Sequence, residues 1–217
     1  DTLIQKSIKL LSNLLNLKVC LEVNLKKNIP LNSGLGGGSA DAAAIIRGII
    51  KLYKIKNNKL IINNLSKIGS DVPACFLSKN VKVSGTGEIL QPIKLLNKKL
   101  WALLIKPKSN YSTKNIFESF NNSYAKPTKF ELTLNNLIYD MNKYNNSLEK
   151  TVCRIEKNVK NVLCYLYDFN SLTLPRITGS GSTVFVLFKT KEDLKNYKKK
   201  LSFNKRDYWI KCSQLIL

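Results

Sequence analysis

Residues 30–40 read Pro30-Leu31-Asn32-Ser33-Gly34-Leu35-Gly36-Gly37-Gly38-Ser39-Ala40, with four glycines among the five residues 34–38. Each glycine inside regular structure costs about 0.5–1 kcal/mol of stability relative to alanine, so such a cluster needs a reason. Without Cβ atoms, consecutive backbone N–H groups can face a ligand, which favours an anion-binding loop. A flexible hinge or a tight turn would explain any one of these glycines, but not the cluster.

The glycine run lies between two different periodic patterns. Upstream, residues 18–26 alternate apolar and polar side chains, which predicts a half-buried strand. Downstream, an Ala-rich segment with helical spacing predicts a helix over residues 39–53. The order strand, glycine loop, helix brings the positive end of a helix dipole to the loop and predicts a phosphate site. The hydroxyl of Ser39 could cap this helix or contact a phosphate or its Mg²⁺.

The rest of the chain predicts both helices and strands, as in an α+β fold. An amphipathic helix is expected over residues 2–15, and the apolar run of residues 100–105 is typical of a buried central strand. The character of the sequence changes near Asn97, which predicts one domain over residues 1–97 and a second over residues 98–217. Further elements are expected as helices over residues 59–68, 147–167 and 191–201, strands over 184–188 and 208–212, and a hairpin around residues 84–88.

The charge of the chain is strongly basic, with 36 Lys and Arg against 14 Asp and Glu, a formal net charge of +22. The basic residues are spread along the whole length, so we interpret the charge as a compositional habit and predict no nucleic-acid partner. A basic nucleic-acid-binding protein is the alternative. The chain contains no histidine, which removes the commonest general base and leaves Asp, Glu, Lys or Tyr for acid–base chemistry.

The distribution of cysteines and apolar residues bears on the compartment. No apolar run approaches the ~20 residues needed to span a bilayer, and the first residues lack the layout of a secretory signal. We therefore predict no membrane partner and a cytoplasmic location. The cysteines are scattered, odd in number and never spaced as CxxC, which predicts neither a disulfide framework nor a zinc site: Cys20, Cys75, Cys153, Cys164 and Cys212.

Two glycine-rich segments carry a resemblance to a known family. The run at 30–40 is neither a P-loop, because no Lys follows its last glycine, nor a clear dinucleotide fingerprint. It resembles the central motif of the GHMP kinases, in which Pro is followed shortly by Gly-Leu-Gly-x-x-Ser. Thr178-Gly179-Ser180-Gly181-Ser182-Thr183 resembles the third motif of that superfamily. The resemblance implies a GHMP kinase fold, with a ribosomal-S5-like N-terminal part and a ferredoxin-like C-terminal domain.

Three further segments narrow the resemblance to one branch of the superfamily. That branch transfers phosphate from ATP to an alcohol, the 2-hydroxyl of 4-diphosphocytidyl-2-C-methyl-D-erythritol, in the non-mevalonate isoprenoid pathway. The resemblance therefore implies ATP, Mg²⁺ and this small-molecule substrate. Alternatives are another GHMP kinase, acting for example on mevalonate or homoserine, or an inactive remnant. The segments are Gly69-Ser70-Asp71-Val72-Pro73, Ser84-Gly85-Thr86-Gly87-Glu88 and Asn146-Ser147-Leu148-Glu149.

The resemblance also implies site residues. It assigns the catalytic role to Asp71, which would orient the acceptor hydroxyl and accept its proton, with a helix-capping aspartate as the alternative. Gly179 and Gly181 would lie beside the phosphates, or would simply form a tight turn. Ser39 is the predicted metal ligand. The predicted nucleotide-binding residues are Lys27, Pro30, Leu31, Asn32, Ser33, Gly34, Leu35, Gly36, Gly37, Gly38, Ser39, Ala40, Gly179 and Gly181.

The start of the chain departs from the family pattern. It opens on Asp1 directly inside a helical pattern, after the point where the family has a strand with a catalytic lysine. We therefore expect the family's N-terminal segment to be missing and the chain alone to hold an incomplete, inactive site. Either a monomer or a homodimer is expected.

Overall fold

The computed structural model describes residues 2–56, 58–93, 99–109, 111–121, 124, 134–168, 171–204 and 206–216. The chain forms two compact units, the first from residues 1–28 with 36–94 and the second from residues 29–35 with 95–217. The first half of the glycine run thus belongs to the second unit. The predicted boundary between residues 97 and 98 lies outside the described residues.

The first unit is mainly helical. Its first helix has a capping box, in which Thr2 Oγ1 accepts from the Gln5 N–H and Gln5 Oε1 accepts from the Thr2 N–H. The helices pack around a core of Leu11, Ala42, Ile46, Ile49, Ile61, Leu65, Ile68 and Val72. Its elements are α1 (Leu3–Leu15), α2 (Gly37–Leu52), α3 (Lys59–Ile62), a 3₁₀ turn (Leu65–Lys67), α4 (Val72–Leu77), β1 (Val81–Ser84) and β2 (Ile89–Pro92).

The strand predicted over residues 18–26 does not form. The segment has no regular secondary structure. The expected alternation holds at Val19, Leu21 and Val23, which are half-buried, but not at Leu25, which is 49% exposed. A strand also needs a hydrogen-bonded neighbour, and none of the described residues pairs with this segment. The hairpin prediction is confirmed, because β1 and β2 pair antiparallel with Ser84 opposite Ile89.

The second unit is built on an antiparallel sheet, with the order β4-β5-β3-β6 in the described residues. The first strand of the unit lies between the third and the fourth, which is the arrangement expected of a ferredoxin-like domain. The elements in chain order are β3 (Lys99–Pro107), α5 (Thr113–Glu118), α6 (Leu134–Lys143), α7 (Glu149–Ile155), α8 (Lys157–Tyr167), β4 (Arg176–Ile177), β5 (Val184–Phe188), α9 (Lys191–Lys199) and β6 (Tyr208–Ile216).

Strand β3 is buried on both faces, which explains its continuous apolar run. Leu103 and Ile105 join one core cluster with Val159, Val162 and other residues of the helices. Leu100 and Ala102, on the opposite face, join a second cluster with Leu187. The prediction of a buried central strand is confirmed.

The single long helix predicted over residues 147–167 is interrupted at Glu156. This residue has φ −123° and ψ 94°, outside the helical region, and its carboxylate accepts a hydrogen bond from the Asn158 N–H at 3.3 Å. Glu156 therefore ends α7 and caps α8. The mixed helix and strand content confirms the predicted α+β class.

Candidate functional site

The first half of the glycine run lies in the second unit, against the turn that joins β4 and β5. The Thr183 N–H donates to the Ser33 carbonyl at 3.2 Å, and the Ser182 N–H donates to the Asn32 carbonyl at 3.4 Å. Thr178 Oγ1 donates to the same Ser33 carbonyl at 3.4 Å. Two motifs about 150 positions apart in the sequence are thus brought together, as the family resemblance implies.

The glycines at this contact are required by packing. Gly34 has φ +70°, and a Cβ on it would overlap the Thr178 carbonyl oxygen and lie 2.5 Å from that of Gly181. Gly181 has φ +80°, and its Cβ would overlap the Tyr111 hydroxyl. Gly179, with φ +50°, faces the Gly34 carbonyl. A tight turn therefore accounts for Gly179 and Gly181, and their contact with a phosphate stays a prediction.

A hydrogen-bond chain that the sequence did not reveal supports Asn32. Lys106, only 8% exposed at the end of β3, donates from Nζ to Ser109 Oγ at 3.2 Å. Ser109 Oγ donates to Ser182 Oγ at 2.8 Å, and Ser182 Oγ donates to the Asn32 carbonyl at 3.3 Å. Burial lowers the pKa of Lys106. The sequence did not predict a role for Lys106 or Ser109, because no local motif distinguishes them from the many other lysines and serines of the chain.

The second half of the glycine run begins α2 in the first unit. Gly36 is the N-cap, in the left-handed region with φ +66°, and within the described part of the chain no side chain caps this helix. The helix begins at Gly37, two residues before the predicted start. Because it has no cap, the N–H groups of its first turn point out of the helix without an intrahelical acceptor. Ser39, 8% exposed, lies within that turn, so the suggestion that it caps the helix is wrong.

The space beside this turn is open on the glycine side. A Cβ built on Gly36 or Gly37 would meet no described atom within 4 Å, whereas one on Gly38 would meet Leu3 Cδ1 at 3.4 Å. Gly36 is required for its positive φ, but neither φ nor packing requires Gly37. Uncapped N–H groups at a helix N-terminus with open space before them can bind an anion such as phosphate.

The other residues predicted for the nucleotide have varied surroundings. Lys27 forms an ion pair with Asp41 on α2. Pro30 is half-buried, whereas Leu31 is 72% exposed, an unusual position for a large apolar side chain. Leu35 is half-buried and Ala40 is exposed. Lys27 and Asp41 both lie in the first unit, which places a paired ammonium near the start of α2.

Asp71 lies at the N-cap position of α4 and is exposed. Asp71 thus occupies the capping position that the alternative interpretation predicted, but its side chain does not form the hydrogen bond of a helix cap. Within the part of the chain that the structure describes, the carboxylate forms no hydrogen bond or ion pair. It is therefore available to a ligand.

The Asp71 carboxylate affects the pKa of Cys75, which lies one turn further along α4. Burial raises the pKa of the Cys75 thiol, the negative charge of Asp71 raises that pKa further, and the positive charge of Arg47 lowers it. Arg47 Nη1 also donates to the Cys75 and Phe76 carbonyls, at 3.0 and 3.2 Å, near the end of α4. Asp71, at the N-cap, and Cys75 thus lie one helical turn apart.

The described residues include neither a candidate metal-binding cluster nor a helix that could span a membrane. They contain no group of three or more His, Cys, Asp or Glu side chains that could hold a metal ion. None of their helices combines the length and the apolar character that crossing a bilayer requires.

Comparison with known proteins places this geometry in a class. The model of the GHMP kinases N terminal domain matches residues 2–79. Among solved structures, a crystal structure of 4-(cytidine 5'-diphospho)-2C-methyl-D-erythritol kinase superposes with a TM-score of 0.78 at 23% identity, covering 98% of this chain and 78% of that one. At that identity the superposition supports the fold alone. The fold is thus that of a GHMP kinase.

Sequence relatives carry the assignment further. The 4-diphosphocytidyl-2-C-methyl-D-erythritol kinase of Wolbachia sp. subsp. Brugia malayi is 30% identical over 99% of this chain and 75% of its own length. The protein of the same name from Thermodesulfovibrio yellowstonii is 31% identical over 100% of this chain and 78% of its own length. The chain belongs to the GHMP kinase family, in the branch of the 4-diphosphocytidyl-2-C-methyl-D-erythritol kinases.

The electrostatic link between Asp71 and Cys75 gives a test of the site geometry. We expect Asp71→Asn to lower the pKa of the Cys75 thiol, because the carboxylate no longer opposes the thiolate. The measurement is the pH dependence of alkylation at Cys75, quantified by peptide mass spectrometry. Cys153, whose pKa is raised to about 11 by burial and by Glu149, serves as the internal control and should not change. An unchanged Cys75 profile would mean that the carboxylate lies too far from the thiol.

Proposed function

We propose that this chain carries out the ATP-dependent phosphorylation of the 2-hydroxyl of 4-diphosphocytidyl-2-C-methyl-D-erythritol. The proposal rests mainly on the open N-terminal turn of α2. At Gly37 in this turn, neither packing nor the backbone conformation requires a glycine. The names of the relatives supply the substrate. The net charge of +22 suits a protein whose two substrates both carry phosphates.

The backbone of the glycine run would bind the nucleotide phosphates. The N–H groups of Gly37, Gly38 and Ser39 have no acceptor within α2, and the helix dipole adds partial positive charge at the same end. Hydrogen bonds from N–H groups to a charged oxygen are stronger than those to a neutral one. Lys27 would add its ammonium by exchanging its partner Asp41 for a phosphate.

The hydroxyl of Ser39 fits a supporting role toward Mg²⁺. This cation prefers oxygen ligands and in kinases is bound largely through the substrate phosphates, so a dedicated cluster of carboxylates is not required. Ser39 lies in the first turn of α2, among the N–H groups assigned to the phosphates. When bound, Mg²⁺ would neutralise negative charge on the phosphates.

Asp71 would act on the acceptor alcohol. The 2-hydroxyl oxygen attacks the γ-phosphorus of ATP, its proton passes to the Asp71 carboxylate, and the bond from the γ-phosphorus to the bridging oxygen breaks to release ADP. Phosphoryl transfer passes through a loose transition state, so orientation of the hydroxyl counts for more than the basicity of the carboxylate. The carboxylate is exposed and has no partner among the described residues, which is consistent with this role.

We also propose a cytoplasmic location. All five cysteines are free thiols, as expected in a reducing compartment, and ATP is abundant there. The choice between monomer and homodimer stays a prediction.

The direct test of the function is a coupled assay of ADP formation. We expect turnover with 4-diphosphocytidyl-2-C-methyl-D-erythritol and none above background with homoserine or mevalonate. The chain spans 75–78% of the length of the Wolbachia and Thermodesulfovibrio relatives, so the assay is run both on the 217-residue chain and on the full product of its gene. Equal turnover with homoserine would overturn the substrate assignment, and no turnover in either form would overturn the function.

The role of Asp71 is tested by Asp71→Asn in the active form. We expect kcat to fall by about 10²–10⁴-fold, the usual contribution of a general base, while the affinity for ATP is retained. Asparagine is nearly isosteric but cannot accept the proton. Steady-state kinetics and ATP titration give the two quantities, and an unchanged kcat would exclude the proposed role.

A matched pair of substitutions in α2 tests the phosphate site. Gly37 and Gly48 both lie in α2 with no atom within 4 Å of a built Cβ, but only Gly37 lies in the open first turn. We expect Gly37→Ala to weaken ATP binding by about tenfold, because its methyl group occupies space needed for close backbone approach. Gly48→Ala should leave ATP binding unchanged and raise helix stability by about 0.5–1 kcal/mol. Calorimetric titration with ATP and thermal unfolding distinguish the two; equal affinities would argue against a phosphate at Gly37.

A further inference from the structure

The peptide group that leads into Asp71 is packed under the turn between β1 and β2. Gly87 in this turn is buried and has φ +106°. A Cβ built on Gly87 would overlap the Ser70 carbonyl oxygen and would lie 2.7 Å from the Ser70 carbonyl carbon and 2.8 Å from its Cα. The contact is backbone against backbone, so neither side can yield by rotating a side chain. Gly87 thus determines where the peptide between Ser70 and Asp71 can lie.

The turn itself is held in shape by Glu88. Its Oε2 accepts from the Thr86 N–H at 2.7 Å and from Thr86 Oγ1 at 2.8 Å. The pKa of Glu88 is lowered, chiefly by its own backbone N–H and then by the Thr86 hydroxyl, as expected for a carboxylate that accepts several hydrogen bonds. The carboxylate also lies over Gly85, which has φ +69°. Glu88 therefore holds the loop that presents Gly87.

The position of the Asp71 carboxylate depends on how its backbone is held. Its carboxylate forms no bond with the described residues, as stated above. Its backbone is fixed on the other side, where the Val72 N–H donates to the Gly69 carbonyl at 3.1 Å and the Cys75 N–H donates to the Asp71 carbonyl at 3.0 Å. Displacement of the Ser70 peptide would therefore carry Asp71 with it.

We propose that the turn at residues 85–88 is a positioning element for the Asp71 carboxylate, in which Gly87 places the Ser70–Asp71 peptide and Glu88 holds the turn. The proposal rests on the catalytic role proposed for Asp71. It assigns no contact with substrate to the turn, which acts only through the backbone. A displacement of about 1 Å in a catalytic group can lower a rate by about 10²-fold.

The first test is Gly87→Ala in the active form of the enzyme. We expect kcat to fall by about 10- to 100-fold while KM for ATP changes less than about twofold, because the start of α2 is untouched. The Cys75 alkylation profile should shift toward that of Asp71→Asn, since the carboxylate moves away from the thiol. Val83→Ala, which shortens an exposed side chain on β1, is the control in the same hairpin and should keep the original kcat.

A second pair keeps the proposal testable if Gly87→Ala does not fold. Glu88→Ala removes the acceptor for Thr86 and should lower kcat in the same direction, whereas Glu88→Gln keeps an oxygen acceptor and should restore most of it. A kcat unchanged in Gly87→Ala or in Glu88→Ala would overturn the positioning role. A loss of activity in proportion to the loss of folded protein, measured by circular dichroism, would overturn it as well. Asp71→Asn separates the positioning proposal from the catalytic proposal on which it rests. Full activity of Asp71→Asn would refute the catalytic role of Asp71 itself.

Discussion

The close approach of residues 32–34 to the turn at 178–183 is the constraint that fixes the first half of the glycine run within the second unit. The two backbones lie so near that no side chain fits at Gly34, and the contact is completed by main-chain hydrogen bonds. The chain from the buried Lys106 supports the same turn from β3. Because β3 is the central strand with both faces in the core, the position of this half of the loop is fixed by the packing of the whole sheet.

The glycines of the chain differ in what requires them, and this difference bears on function. Gly34, Gly181 and Gly87 have positive φ values and close backbone or hydroxyl neighbours, so packing alone explains them. Gly37 has no such requirement, but neither has Gly48, so a missing steric reason is not by itself a sign of binding. What distinguishes Gly37 is its place in an uncapped first turn, where N–H groups lack acceptors. Only the combination of free donors and open space points to a ligand.

Much of the fold could be predicted from local pattern, and the failures occur where a structure depends on distant residues. The apolar run of residues 100–105 identified the central strand because burial on both faces leaves a continuous signal. The alternation over residues 18–26 identified Val19, Leu21 and Val23 as the more buried side chains but failed at the exposed Leu25, and it could not supply a pairing partner. The break at Glu156 was invisible because a glutamate is a good helix former and caps a helix only when the backbone turns there. The start of α2 was predicted two residues late, at Ser39, because Gly37 and Gly38 were assigned to the loop.

The candidate site shows the same division between local and distant information. Asp71 could be proposed from the sequence because the motif around it is contiguous, whereas Gly87, which contacts the preceding residue Ser70, lies in the turn between β1 and β2. Nothing in a linear pattern links Gly87 to Ser70, and only the three-dimensional contact does so. An exposed carboxylate that forms no hydrogen bond with the described residues has many accessible rotamers, so its reach toward a substrate depends on the position of its backbone. For a phosphoryl transfer in which orientation outweighs basicity, a rigid backbone contact next to the carboxylate would position it without the need for a second charged residue.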